Sequence, residues 1–260
     1  MGILNLLRSS ISPQNSLLLL YHKIKAIIAA IIYRFPANYL KVIAVTGTKG
    51  KSTVCYLLSN ILREAGHRVG SASTIEFRVG ENVFQNDTKQ TTQGPFFLQR
   101  LLREMVNARC EFAIVEVTSH ALNQSRIWGI NVDTAVLTNI QRDHLEYHGG
   151  FENYMHAKGL LFASLNRFAK KFDLQKTAVL PSEDANIAYF KTFSADRQIE
   201  YGISKGTVTA EDVVLNPRGS TFRLRVPIED ILINLNLPGE FNIKNSLAAS
   251  TAAISLGIHL

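Results

Sequence analysis

One stretch, residues 42–53, restricts the fold of this chain more than any other. Residues 42–45 are apolar and mostly β-branched, which is typical of a buried parallel strand. Gly47 and Gly50 follow directly. From Lys51 onward, apolar residues recur at helical spacing, at Val54, Leu57, Leu58, Ile61 and Leu62. A strand, a glycine loop and a helix in immediate succession predict one unit of a parallel α/β sheet.

The loop has the composition of a phosphate-binding loop. Its glycines let the backbone approach an anion, and the loop amides with the helix N-terminus supply positive potential. Lys51 is predicted to reach the β- and γ-phosphates of a nucleotide, and the hydroxyl of Ser52 or Thr53 to ligate magnesium. The strict spacing Gly-x4-Gly-Lys-Ser lacks its first glycine, because position 45 is Val. The alternative is a glycine turn that carries an incidental lysine.

Polar residues also follow two other predicted strands. The strand at 112–117 ends in Glu116, and the strand at 132–138 leads to Asn139, Asp143 and His144. Because ligands gather at the carboxyl ends of strands in a doubly wound sheet, we expect these side chains near the loop. Glu116 is a natural magnesium ligand, directly or through water, and His144 beside Asp143 is a candidate ligand. A structural carboxylate and a structural histidine are the alternatives.

The remaining pattern alternates strands and helices and then becomes strand-rich at residues 198–237. Further strands are predicted at 68–74, 75–79, 82–85 and 177–180, and further helices from 95, at 151–165, at 184–193 and at 243–256. This order predicts a three-layer α/β domain with a mostly parallel sheet and a small antiparallel part. On residue type alone, Lys158 is a solvated lysine of the helix at 151–165.

Charge and composition limit the partners. The formal net charge is +7, and no Asp or Glu precedes Glu64, which favours an anionic partner such as a nucleotide, an anionic precursor or a membrane surface. No basic stripe is interleaved with aromatic residues, so nucleic acid is not expected. Cys55 and Cys110 lie in apolar elements and are predicted to be reduced core residues of a cytoplasmic protein.

Residues 1–40 form a segment apart from the predicted domain at 41–260. Residues 17–32 are strongly apolar, but His22, Lys23 and Lys25 argue against a helix that spans a membrane. Two alternatives remain open: a helix that lies on the inner surface of a membrane, and a helix that docks on its own domain.

Several segments in order resemble the central, ATP-binding domain of the Mur ligases, which add amino acids to the peptidoglycan precursor. These segments are residues 46–52 (Thr-Gly-Thr-Lys-Gly-Lys-Ser), Thr91-Thr92, residues 116–122, residues 138–149, Ala157-Lys158 and residues 238–245. The chain looks most like the branch that extends UDP-MurNAc-L-Ala-D-Glu. A folate- or cyanophycin-type ligase, and a nucleotide-binding module that works through a partner subunit, are the competing interpretations.

The resemblance implies roles that spacing alone does not. The residues implied at ATP are Gly47, Thr48, Lys49, Gly50, Lys51, Ser52, Thr53, Asn139, Asn242 and Asn245. Glu116 and His144 would bind Mg²⁺ with Ser52, and Lys158 would be a carbamylated lysine that helps to position a second Mg²⁺. The residues implied at the UDP-MurNAc-peptide are Thr91, Thr92, Ser119, Gln124 and Arg126.

The implied reaction is amide-bond formation through an acyl phosphate, with Lys51, Lys158, Glu116 and His144 as the catalytic set. The family's N-terminal uridine-binding domain and its C-terminal domain are expected to be missing from these 260 residues. The resemblance therefore leaves the incoming amino acid unassigned.

Overall fold

The computed structural model describes residues 16–88, 90–143 and 145–259, without the side chain of Leu145. His144 and residues 1–15 of the N-terminal segment lie outside this part. The helices are α1 (Ser16–Ile32), α2 (Lys51–Glu64), α3 (Pro95–Asn107), α4 (Ser119–Asn123), α5 (Leu145–His148), α6 (Phe151–Ala163), α7 (Ile187–Lys191) and α8 (Glu240–Ser255), with a 3₁₀ turn at Pro36–Tyr39. The strands are β1 (Lys41–Thr46), β2 (Val69–Ala72), β3 (Glu76–Val79), β4 (Asn82–Gln85), β5 (Phe112–Glu116), β6 (Thr134–Leu137), β7 (Thr177–Pro181), β8 (Arg197–Gly202), β9 (Val208–Asn216), β10 (Gly219–Arg225) and β11 (Asp230–Leu235).

The described strands form one sheet in the order β11-β10-β9-β8-β7-β6-β1-β5-β2-β3-β4. The central pairs from β9 to β2 are parallel, and β1 lies between β5 and β6. Both ends of the sheet are antiparallel, through β2-β3-β4 and β9-β10-β11. The predicted fold class is confirmed. The antiparallel strands after β8 continue the main sheet instead of forming a separate part.

Helices cover both faces of the sheet, as the period of two along β1 requires. Val42 and Ala44 face a core formed with α3, α4 and α6, whereas Ile43 and Val45 face a core formed with α2 and α8. A strand buried on both faces reads as a continuous apolar run, which is why residues 42–45 show no polar alternation. In β10, by contrast, buried and partly exposed residues alternate because one face is wet.

The N-terminal helix α1 packs on α3. Its contact face consists of small residues, Ala26, Ala29 and Ala30, which are fully buried. Arg103 of α3 donates to Tyr33 O at 3.0 Å and ties down the turn after α1. Within the described part of the chain, no helix combines the length and apolarity that crossing a bilayer needs. One face of α1 is therefore docked on the domain.

Some predicted boundaries shift. The helix predicted at 184–193 is the shorter Ile187–Lys191, because Asp184 accepts a hydrogen bond from Ile140 N at 2.8 Å outside the helix. The strand predicted at 68–74 ends at Ala72, where the chain turns into the β2-β3 connection. The helix predicted at 243–256 begins three residues earlier, at Glu240.

Candidate functional site

The loop between β1 and α2 needs glycine at both of its glycine positions. Gly47 has φ of 146° and Gly50 has φ of 82°, in a region that side chains disfavour. A Cβ atom at Gly50 would collide with the side chain of Asn245 in α8, and one at Gly47 would collide with Thr138. The loop is therefore pressed against the segment that follows β6 and against the start of α8.

Residues 139–141 hold the loop in shape. Thr48 N donates to Asn139 O at 3.0 Å, and Gln141 N donates to Thr48 Oγ1 at 2.9 Å. The Asn139 amide closes a pair with Lys49: Oδ1 accepts from Lys49 N at 3.0 Å, and Nδ2 donates to Lys49 O at 3.0 Å. Backbone groups of the loop are thus paired before any ligand arrives, which orders the loop in advance.

Two lysine amines meet at one loop carbonyl. Lys51 Nζ donates to Gly47 O at 3.0 Å and to Thr48 O at 2.9 Å, and Lys158 Nζ donates to Gly47 O at 2.8 Å. Burial lowers the pKa of Lys51. Burial and then the Lys51 charge lower the pKa of Lys158 to about 7, with Asp143 opposing the shift. The interpretation of Lys158 as a solvated lysine was wrong, because α6 presents this side chain inward.

Glu116, at the carboxyl end of β5, is buried beside the start of α2. Its Oε1 accepts from Ser52 Oγ at 2.9 Å, and its Oε2 accepts from Thr74 N at 2.7 Å. A buried carboxylate and a hydroxyl in direct contact, next to Lys51, are oxygen donors of the kind that Mg²⁺ prefers. The chemistry of this pair therefore fits a magnesium ion.

The predicted metal site also includes His144 and Lys158. His144 lies outside the described residues. Within residues 16–88, 90–143 and 145–259, no group of three or more His, Cys, Asp and Glu side chains is close enough to hold a metal ion. Lys158 would complete such a site only after gaining a carboxylate. The predicted set thus reduces, among described residues, to Ser52, Glu116 and Lys158.

Two cavities lie on either side of the loop. The first, of about 460 Å³, is lined by Lys49, Gly50, Thr53, Thr138, Asn139, Gln141, Pro181, Glu183, Asp184, Tyr201, Gly202, Glu240, Phe241, Lys244 and Asn245. The second, of about 260 Å³, is lined by Gly47, Thr48, Lys51, Gln90, Thr91, Thr92, Thr118, Ser119, His120, Arg126, Tyr154 and Lys158. The loop residues predicted at ATP divide between them, apart from Ser52, which contacts Glu116.

Residues predicted at the peptide substrate gather around the second cavity. Arg126 Nη1 donates to Thr92 O at 2.6 Å, and Arg126 Nη2 donates to Gln124 Oε1 at 2.7 Å. Gln124 thus orients Arg126 without lining the cavity. Ser119 Oγ shares a hydrogen bond of 3.0 Å with Nε2 of His148. Burial lowers the pKa of Arg126.

Asn242 and Asn245, at the start of α8, differ in position. Asn245 lines the first cavity, and its Nδ2 donates to Asn242 Oδ1 at 3.2 Å. Asn242 is also buried but does not line the cavity, and it donates from Nδ2 to Pro238 O at 2.9 Å. Only Asn245 therefore faces the cavity, and Asn242 orients it.

The sequence analysis missed residues in both cavities. Tyr154 shares a hydrogen bond of 3.0 Å with Thr48, and the Lys158 amine lies 4.5 Å from its ring centroid. In the first cavity, Tyr201 donates to Leu137 O at 2.8 Å. The residues of the first cavity could have been found from the sequence. Asp184 and Tyr201 lie near the carboxyl ends of β7 and β8, where ligands gather in a parallel sheet.

The sheet order, the glycine loop and the site at the carboxyl ends of the strands define a class of α/β protein with a phosphate-loop architecture. The model of the Mur ligase middle domain matches residues 45–253. The chain belongs to the Mur ligase family, which confirms the resemblance.

Relatives of known activity narrow the comparison. The chain is 40% identical over 237 residues to UDP-N-acetylmuramoyl-L-alanyl-D-glutamate–2,6-diaminopimelate ligase of Geobacillus thermodenitrificans, covering 90% of this chain and 48% of that protein. The enzyme of the same name from Bacillus cereus is 36% identical over 236 residues, with 90% and 48% covered. The chain spans about half the length of the curated relatives it matches.

Solved structures agree with the fold. A structure of a UDP-N-acetylmuramoyl-L-alanyl-D-glutamate–2,6-diaminopimelate ligase superposes with a TM-score of 0.73 at 30% identity, covering 85% of this chain and 44% of that one. A MurF ligase from Thermotoga maritima in complex with ADP gives a TM-score of 0.64 at 15% identity, covering 90% and 50%. At that identity the second likeness concerns the fold alone.

Proposed function

We propose that this chain supplies the ATP-binding and acid-activating site of a ligase that adds an amino acid to UDP-MurNAc-L-Ala-D-Glu. The observation that carries the proposal is the meeting of Lys51, Lys158 and the Ser52–Glu116 pair at the loop that separates the two cavities. The relatives named for this activity, at up to 40% identity, support the choice of substrate. Their diaminopimelate is the first amino acid to assay.

Nucleotide binding uses the first cavity and the loop. The base and ribose would occupy the cavity near Asn245, and the phosphates would extend along the loop amides to the N-terminus of α2. Lys51, whose amine now rests on two loop carbonyls, would turn to the γ-phosphate. In that position it neutralises charge that develops as the phosphoryl group is transferred.

Amide formation then follows in two steps. The carboxylate of the substrate, held in the second cavity, attacks the γ-phosphorus in line, and the bond to the β-phosphate oxygen breaks to release ADP. The incoming amine attacks the acyl carbon, loses a proton and displaces phosphate. The chain's own contribution to the first step is positioning, with Arg126 and Ser119 at the substrate and Lys51 at the phosphates.

Ser52 and Glu116, with His144, would hold magnesium, which supplies charge neutralisation at the phosphates when bound. The Lys158 amine is suited to carbamylation, because its pKa of about 7 leaves much of it neutral at physiological pH. A neutral amine can attack CO₂, and the carbamate formed after loss of a proton is an anionic oxygen ligand. Burial opposes a charge at this position, whereas the neighbouring Lys51 cation favours the negative charge of the carbamate.

The test compares nucleotide affinities by calorimetry. Lys51→Ala is expected to weaken ATP binding at least about tenfold while leaving AMP binding nearly unchanged, since only the distal phosphates lose a partner. Lys170→Ala, an exposed lysine that forms an ion pair with Asp196, is the matched control and should bind both nucleotides like the wild type. Equal ATP affinity in wild type and Lys51→Ala would contradict the proposal. Product formation from UDP-MurNAc-dipeptide, ATP and diaminopimelate tests the complete reaction.

The proposed location is the cytoplasm, with residues 1–40 in contact with the inner face of a membrane. That contact would use α1, which lines neither of the two loop cavities.

A further inference from the structure

One face of α1 is an apolar stripe in contact with solvent. It consists of Leu17, Leu20, Tyr21, Ile24, Ile28, Ile31 and Ile32, each of which is 45–76% exposed. The spacing of three and four residues aligns these side chains along one side of the helix over its whole length. Scattered exposed apolar residues are ordinary, but a continuous stripe marks an interaction surface.

The rest of the fold directs this stripe away from the domain. The opposite side of α1 carries Ala26, Ala29 and Ala30, which are fully buried against the domain. A Cβ atom at Gly129 would collide with the Ala30 side chain, so the docked side packs closely against Gly129. The helix therefore cannot turn its apolar stripe inward without losing this packing.

The charge around the stripe has one sign. Lys23 and Lys25 are exposed and adjoin Ile24 in sequence, so they lie about 100° to either side of it on the helix. No acidic residue occurs in α1 or anywhere before Glu64. Lys23 also lines a cavity of about 420 Å³ with Arg167, and the residues that line it include no carboxylate. Lysines with long stems can lie along an apolar phase while their amines contact anionic headgroups.

We propose that α1 lies in the interface of an anionic lipid membrane, with its apolar stripe among the acyl chains and Lys23 and Lys25 at the headgroups. This surface is independent of the proposed ligase reaction. The arrangement of an apolar stripe between cationic flanks on a helix is that of interfacial helices. A second copy of the chain fits less well, because pairing two α1 helices would bring their lysines together with no acidic partner.

The test measures co-sedimentation of the full chain with vesicles of phosphatidylglycerol and phosphatidylcholine in equal parts, and with vesicles of phosphatidylcholine alone. Ile24→Glu/Ile28→Glu is expected to lower the partition coefficient at least about 100-fold. Lys23→Gln/Lys25→Gln should lower it roughly tenfold at low salt and less at high salt. Val214→Glu/Leu232→Glu, at two exposed apolar positions of β9 and β11, is the matched control and should bind like the wild type.

Equal thermal unfolding midpoints would show that the variants are folded, as expected for exposed positions. The proposal is overturned if the wild type does not bind anionic vesicles, or if Ile24→Glu/Ile28→Glu binds as well as the wild type. Equal binding to neutral vesicles would overturn the role of the lysines. Sedimentation velocity without lipid tests whether a second copy of the chain binds the stripe. If the wild type is a dimer and does not bind vesicles, and if Ile24→Glu/Ile28→Glu is a monomer, the stripe serves self-association and the membrane proposal is overturned. Calorimetry with ATP reads the loop site separately, so failure of the α1 proposal removes the proposed membrane contact and leaves the proposed ligase site intact.

Discussion

The two edges of the parallel sheet hold buried lysines in contrasting surroundings. At the amino-terminal edge, Lys176 precedes β7, and its amine has three acceptors. These are Asn131 Oδ1 at 2.6 Å, Val132 O at 2.7 Å and Asp133 Oδ1 at 2.9 Å. Asp133 also accepts from Val42 N at 2.8 Å and pairs with Lys171 at 3.0 Å. Asp133 thus compensates the charge of Lys176 locally, and the cluster joins β1, β6 and β7.

At the carboxyl-terminal edge, Lys158 is as deeply buried as Lys176 but differs in its partners. Within the described residues its amine has a single hydrogen-bond acceptor, the Gly47 carbonyl that Lys51 shares. Burial and then the Lys51 charge lower its pKa, Asp143 opposes the shift, and no carboxylate of the described residues forms a hydrogen bond with the amine. Two equally buried lysines can therefore differ in their hydrogen-bond partners and in the charges beside them. Removing a fully paired lysine destabilises the fold, because its partner is left buried, whereas a lysine without a bonded carboxylate is available for a ligand or a modification.

The largest effect is expected for the paired lysine. Lys176→Met removes one partner of a buried ion pair and leaves Asp133 with less compensation, so the free energy of unfolding should fall by about 3–5 kcal/mol. Lys158→Met at pH 8 removes an amine that is mostly neutral, and Gly47 O keeps the hydrogen bond from Lys51, so the loss should stay below about 1 kcal/mol. Urea unfolding measures both. Similar losses of unfolding free energy in the two variants would contradict the proposed difference between the lysines at the two edges of the sheet.

Carbamylation should also separate the two lysines. With ¹³C-labelled bicarbonate, a carbamate carbon signal is expected in the wild type, absent in Lys158→Met and retained in a folded conservative variant at the other edge, Lys176→Arg. Because the amine must lose a proton before it attacks CO₂ and the product loses another, occupancy at a fixed CO₂ concentration should fall by up to about a hundredfold for each pH unit below 7. A signal that survives Lys158→Met would belong to another amine and would contradict the assignment.

In CO₂-free buffer, the same lysine should make stability depend on pH. Lys158 is neutral in the folded state above about pH 7, whereas the unfolded chain keeps this lysine protonated to about pH 10.5. The unfolded state then binds more protons, so raising the pH from 7 to 10 stabilises the fold, by at most about 1.4 kcal/mol per pH unit. The measurement is the free energy of unfolding of the wild type minus that of Lys158→Met at each pH. If this difference does not change with pH, the buried amine stays charged, and the expectation is contradicted.

The smallest effect concerns two serines of α2. Ser52→Ala removes the hydroxyl that donates to Glu116 and should cost about 1 kcal/mol, because among the described residues the carboxylate then keeps only the hydrogen bond from Thr74 N. Ser59→Ala removes a buried hydroxyl that has no hydrogen-bond partner among the described residues, and should be neutral or stabilising. In addition, Ser52→Ala should weaken the Mg²⁺ dependence of ATP affinity, and Ser59→Ala should not. An equal Mg²⁺ dependence of ATP affinity in the two variants would contradict a role for Ser52 in binding the metal.

Much of the fold and of the loop could be predicted from the amino-acid sequence because the signals are local. The buried strand β1, the glycines and the helical spacing after Lys51 all lie within about 20 residues, and each follows from backbone sterics or side-chain periodicity. The glycine requirement at Gly50 could be anticipated, although its cause, the contact with Asn245, could not. Local sequence patterns could not predict the order of the strands, nor that both antiparallel ends belong to one sheet, because both depend on pairing between distant segments.

The character of Lys158 and of α1 depended on the tertiary structure. Residue type predicts a solvated lysine, but the rotation of α6 against the sheet carries this amine to the Gly47 carbonyl, 111 positions away in sequence. From composition alone, α1 could be docked on the domain or lie on a membrane. The tertiary structure shows that its side with Ala26, Ala29 and Ala30 is docked and that its apolar stripe is exposed. The physical reason is common to both: burial and the charge of neighbours depend on which distant segments pack together, and local spacing does not encode that.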